Sequence, residues 1–82
     1  GEEFLLLMPD TDATGAQQAC ERLRQHIATT PVPTTAGPLT ITVSLGATSA
    51  RHSDARIDDV LIRADEALYA SKRAGRNRVT LV

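Results

Sequence analysis

Leu39-Thr40-Ile41-Thr42-Val43-Ser44-Leu45-Gly46-Ala47-Thr48 alternates without a break. Leu39, Ile41, Val43, Leu45 and Ala47 point one way; Thr40, Thr42, Ser44, Gly46 and Thr48 point the other. This period of two predicts a strand with one apolar face and one small, polar face. Small residues on that second face leave room above a sheet for another element or a ligand. The pattern alone fits a merely solvated face equally well.

Helical patterns flank this strand on both sides. Upstream, Ala16, Ala19, Cys20, Leu23 and Ile27 form one apolar stripe, with Gln17, Glu21, Arg22, Arg24 and Gln25 off it. Asp12 is the expected N-cap, after Pro9 has ended whatever precedes it. His26 sits near the helix end, where a cation suits the dipole, and no second ligand accompanies it. Thr29 to Pro38 holds three prolines, one glycine and four threonines and reads as a loop. Downstream, Arg51 to Arg56 is a polar loop, and Ile57, Val60, Leu61, Ala64, Leu68 and Ser71 mark a second helical stripe. Asp58 and Asp59 open that helix, Lys72 and Arg73 close it, and Gly75 reads as the residue that stops it.

The two ends complete the chain. Asn77 to Val82 predicts a short strand. At the start, Gly1-Glu2-Glu3-Phe4 runs into Leu5-Leu6-Leu7-Met8-Pro9. That apolar run is too short to span a membrane and suits a strand buried on both faces, although periodicity alone leaves a buried helix open. The expected order is therefore β-α-β-α-β, an α/β (α+β) sandwich whose strands pair across long connections.

Composition bounds the function. Eighty-two residues make one small domain, burying about 60–65% of the unfolded surface. Nine Lys and Arg against ten Asp and Glu leave a net charge of −1, which argues against a nucleic-acid-binding surface or a polybasic membrane anchor. Phe4 and Tyr69 are the only aromatics, too few for base-stacking platforms. Cys20, the lone cysteine, sits on an apolar stripe and reads as a packing residue that fits a reducing interior. No signal peptide or transmembrane segment is expected. A start at Gly rather than Met, inside a turn, reads as a piece of something longer.

Chemistry concentrates at two places. Glu2 and Glu3 are adjacent acids at the mouth of an apolar run, where charge is costly unless a metal ion or a cation compensates it. Gly1 lets the backbone turn tightly and leaves room for a ligand. Lys72 and Arg76, four apart, straddle the end of the second helix, where i and i+4 are expected to face the same side. Two neighbouring cations repel unless they share an anion, and a phosphate chain suits a lysine point charge beside an arginine fork. For both pairs the plain reading, solvated charges at element ends, stays open. Together they form a minimal kit for phosphoryl or nucleotidyl transfer.

Gly1-Glu2-Glu3-Phe4 resembles the end of the GG(D/E)EF signature. Ala64-Asp65-Glu66-Ala67-Leu68-Tyr69-Ala70-Ser71-Lys72-Arg73-Ala74-Gly75-Arg76-Asn77-Arg78-Val79 resembles the closing A-D-x-A-L-Y-x-A-K-x-x-G-R-N-x-V motif of the same family, with Ser71 where alanine is usual. Thr42-Val43-Ser44-Leu45-Gly46 resembles its T-V-S-I-G strand. The chain is thereby identified as the C-terminal half of a GGDEF domain over residues 1–82, cut inside the signature motif. The fold implied is part of a ferredoxin-like, nucleotidyl-cyclase palm sheet.

That resemblance implies a diguanylate cyclase, which condenses two GTP into cyclic di-GMP between two facing domains. It implies Mg2+ (or Mn2+) as cofactor and a homodimer for catalysis. Glu2 aligns with a metal ligand also implicated in catalysis, and Glu3 with the invariant catalytic glutamate. Gly1 aligns where the backbone passes GTP, and Lys72 and Arg76 with residues that hold the terminal phosphates. Arg22 aligns with a product-inhibition contact of some members, although an exposed helix arginine explains it as well. A second metal aspartate, guanine-recognising groups and a phosphate loop precede the signature in the family. The 82-residue chain alone is therefore expected to be inactive. The strand carrying that aspartate lies, in the family, between the Phe4–Met8 and Leu39–Ala47 strands, so its loss would leave two apolar edges open to aggregation. The parent is expected to be cytoplasmic, with no nucleic acid polymer or membrane contact from this segment. The alternatives are a GGDEF module that only senses GTP or cyclic di-GMP, and an unrelated ferredoxin-like interaction domain.

Overall fold

A computed structural model describes residues 2–82; Gly1, expected beside a nucleotide, lies outside them. Four elements follow in order: helix α1 (Ala13–Thr29), strand β1 (Leu45–Ala47), helix α2 (Ile57–Arg73) and strand β2 (Val79–Leu81). The strands pair in parallel, Leu45 with Val79, Gly46 with Thr80 and Ala47 with Leu81. Parallel neighbours need a crossover, and α2 supplies it. Both helices contact both strands.

Each helix starts as the sequence directs. The Asp12 carboxylate accepts a hydrogen bond from the Gly15 N–H at 2.8 Å, which fixes the start of α1. At α2 the third residue, Asp59, reaches back to the N–H groups of Ala55 and Arg56 at 2.9 and 3.2 Å. The end of α2 is a Schellman turn: Arg76 N–H bonds Ser71 C=O at 3.0 Å and Gly75 N–H bonds Lys72 C=O at 3.4 Å. Gly75 carries φ +123°, as such a stop requires.

The core is built from small residues: Ala16 and Cys20 of α1, Ala47 of β1, and Ala67 and Ser71 of α2. Their size lets backbones approach closely. A Cβ added to Gly46 would stand 2.5 Å from Ala64 O and 2.6 Å from Ala67 C, so β1 rests on the main chain of α2. Burial pushes the Cys20 thiol pKa up, in keeping with a packing role.

Three expectations change. Phe4–Met8 forms no strand, and Phe4, Leu5, Leu6 and Leu7 are exposed rather than buried on both faces. A strand exists through its neighbours' hydrogen bonds, and no described residue pairs with this run. It shares instead the walls of an open cleft of about 850 Å³ with β1 and α2. The strand expected over Leu39–Thr48 narrows to Leu45–Ala47 because β2 offers only three partners; Leu39 turns away to bridge Val32 across the proline-rich loop. The final strand begins at Val79 because Arg76 and Asn77 adopt φ +64° and +50°. The mixed α+β class stands.

Candidate functional site

The acidic start of the chain and the basic end of α2 meet. Lys72 Nζ donates to Glu3 Oε2 at 3.1 Å, across 69 residues of sequence. Both side chains remain substantially open to solvent. An exposed pair of this kind is weak and easily exchanged for another partner. Glu2 is exposed. Among the described residues, neither Glu2 nor the Arg76 guanidinium joins this pair by a hydrogen bond or ion pair. Nor does any cluster of three or more His, Cys, Asp or Glu stand ready for a metal among them. Two adjacent carboxylates are nonetheless hard oxygen donors of the kind magnesium accepts alongside phosphate and water.

Arg76 departs from the expected placement. Helix α2 ends at Arg73, so Lys72 and Arg76 do not share a helical face at i and i+4. Arg76 instead follows Gly75 on the Schellman turn, and its exposed side chain springs from a left-handed residue. Its backbone is held closely: its N–H by Ser71 C=O, and its C=O by Arg78 Nε at 3.1 Å.

Two networks that sequence reading missed support this corner. Ser71 is fully buried, and its Oγ lies 2.7 Å from both Leu45 O and Thr80 Oγ1. One hydroxyl thus ties α2, immediately before Lys72, to both strands. A serine on an apolar stripe was the available signal. Arg24 grips Glu21 through Nε, at 2.9 Å, and through Nη2, and its Nη1 donates to Asn77 Oδ1 at 2.8 Å. The Arg24 hydrogen bond holds the Glu21 carboxyl below its usual range. Glu21–Arg24 spacing signalled the pair; nothing local pointed to Asn77, 53 residues away.

Elsewhere, Arg63 and Asp54 form a shielded pair at 2.5 and 2.9 Å, and Arg63 Nη2 also donates to Ser49 O at 2.7 Å. Asp54 is lowered from 3.8 to about 2, first by the Arg63 hydrogen bond and then by the Arg51 N–H. This network stitches the β1–α2 loop. Arg22 is exposed on the outer face of α1, beside Gln18 and Gln25 in a shallow depression of about 520 Å³. No described helix is long and apolar enough to cross a membrane.

Comparison with known proteins bears on the same residues. The family model described as diguanylate cyclase, GGDEF domain, matches residues 1–78. The chain is 46% identical over 79 residues to diguanylate cyclase DgcP of Pseudomonas aeruginosa, covering 96% of this chain and 12% of that protein. It is 37% identical over 81 residues to response regulator PleD of Caulobacter vibrioides, covering 96% and 18%. The chain thus spans a minor part of the curated relatives it matches. Among solved structures, the GGDEF domain of DgcB from Caulobacter crescentus in complex with c-di-GMP superposes with a TM-score of 0.83 at 35% identity, covering 90% of this chain and 43% of that one. The active GGEEF domain of a diguanylate cyclase from Vibrio cholerae gives 0.81 at 34% identity, covering 90% and 46%. With its sequence matched almost throughout and its fold shared with these domains, the chain belongs to the GGDEF diguanylate cyclase family.

Proposed function

We propose that residues 1–82 are the C-terminal half of a GGDEF domain whose parent condenses two GTP into cyclic di-GMP. The observation that carries this reading is the 3.1 Å contact between Glu3 and Lys72, an acid near the start of the chain against the basic end of α2, in a chain of this family. The c-di-GMP complex of the superposable DgcB domain supports the product class.

In this reading Lys72 binds the terminal phosphates as a point charge and Arg76 as a fork. Phosphate binding draws Lys72 away from Glu3 and frees that carboxylate for the reacting centre. Glu2 would hold magnesium or manganese, which supplies charge neutralisation when bound, with Glu3 beside it at the reacting centre. Gly1 lets the backbone pass the nucleotide. Two domains face each other as a homodimer. Each 3′-hydroxyl attacks the other GTP's α-phosphorus, the bond to the β-phosphate oxygen breaks, and two pyrophosphates and the hydroxyl protons leave. Arg22 is a candidate contact for inhibitory product. The parent acts in the cytoplasm, and the 82-residue chain alone has no turnover, because half of the family domain lies outside it.

The test is GTP with magnesium, given to the 82-residue chain and to a longer chain carrying the preceding half-domain. Cyclic di-GMP from the longer chain only, lost in Glu3→Gln, is expected. Turnover by the short chain, or a longer chain that binds no GTP, overturns the reading.

A further inference from the structure

We propose that Arg24, acting through Asn77, is a positioning residue that sets the direction of the Arg76 side chain; this rests on the reading of Arg76 as a phosphate contact. The Arg76–Asn77 step is unusual: two successive non-glycine residues lie in the left-handed region, after a left-handed Gly75. Such backbone persists only where surroundings over-determine it. Asn77 is fixed from two directions. Its Oδ1 accepts from Arg24 Nη1 at 2.8 Å, and its N–H donates to Ser44 Oγ at 3.2 Å.

Arg24 is suited to this task. Glu21 occupies its Nε and Nη2 edge, which leaves Nη1 aimed at Asn77. Its side chain is only 18% exposed. Glu21, Arg24 and Asn77 therefore form a strut from α1 to the turn bearing Arg76. The Arg76 side chain itself springs from that turn into solvent. Without the strut, Arg76 keeps its charge but loses its fixed origin, and a misplaced charged contact weakens binding steeply.

The experiment uses the full-length protein and measures KM and kcat for GTP, with melting temperature alongside. Arg24→Ala is expected to raise KM about ten-fold while kcat and melting temperature change little. Asn77→Gly keeps the left-handed backbone but removes the acceptor, and should reproduce the same rise. Arg24→Lys should not restore KM, because an ammonium cannot hold Glu21 and Asn77 together. In an Arg76→Ala background, Arg24→Ala should add nothing. If Arg76→Ala impairs KM but Arg24→Ala does not, or adds its full effect in that background, the strut is overturned and the phosphate role of Arg76 stands. If Arg76→Ala leaves KM unchanged, the phosphate reading falls first and the strut with it.

Discussion

Glu3 and Lys72 meet as an exposed ion pair, each the other's partner, between the start of the chain and the end of α2. Such a pair contributes about 1 kcal/mol or less to stability. Charge-assisted contacts to a triphosphate are worth more. Lys72→Ala in a GTP-binding chain should therefore leave the melting temperature nearly unchanged and weaken GTP affinity about ten-fold or more. Calorimetric titration beside a thermal melt checks both. A large loss of stability with unchanged affinity would make the pair purely structural.

Asp54 makes stability depend on acid. Its carboxyl is lowered from 3.8 to about 2 by Arg63 and the Arg51 N–H, so the folded state favours the ionised form. The contribution is fully present above pH 4 or so and fades as pH falls through about 2. Urea melts between pH 5 and pH 2 should show this loss, and Asp54→Asn should flatten that part of the profile. An unchanged profile would mean that the pair carries no linkage.

Ser71 can be tested by a cycle. Ser71→Ala leaves the Thr80 hydroxyl without its buried partner, and should lower stability by about 1 kcal/mol. Ser71→Ala with Thr80→Val should cost less than the two single changes summed, because both ends of the bond are removed together. Denaturant unfolding measures all three, and strict additivity would show that the hydroxyl pair is unimportant. The structure gives Ser71 two hydrogen bonds that the alanine usual at this position cannot make.

Gly46→Ala should be far more damaging. The new methyl would collide with the α2 main chain at Ala64 and Ala67, and main chain cannot rotate away. A loss of about 3 kcal/mol or more is expected, enough to unfold a small domain. Circular dichroism during heating reads the outcome, and a variant that melts normally would place β1 wrongly against α2.

The periodic parts of the sequence were legible because local rules decide them. The apolar stripes, the Asp12 cap and the Gly75 stop gave both helices nearly to the residue. Phe4–Met8 was not, since hydropathy says that a strand wants burial and nothing about whether a neighbour is present. Strict alternation over Leu39–Thr48 likewise overstated β1, whose length is set by the three residues of β2. At the site, charge type was readable from Glu2, Glu3, Lys72 and Arg76. The geometry joining Arg24 to Asn77 was not, because hydrogen bonds between distant segments leave no periodic trace.

The seating of β1 on the main chain of α2 also sets an order of opening. With no side chain between Gly46 and the helix, the hydrogen-bonded amides of β1 and α2 are expected to exchange mainly when the β1–α2–β2 unit opens as a whole. In heavy water, those amides should be the last to take up deuterium. The run before α1, whose N–H groups have no strand partner, should label within the first measurable interval.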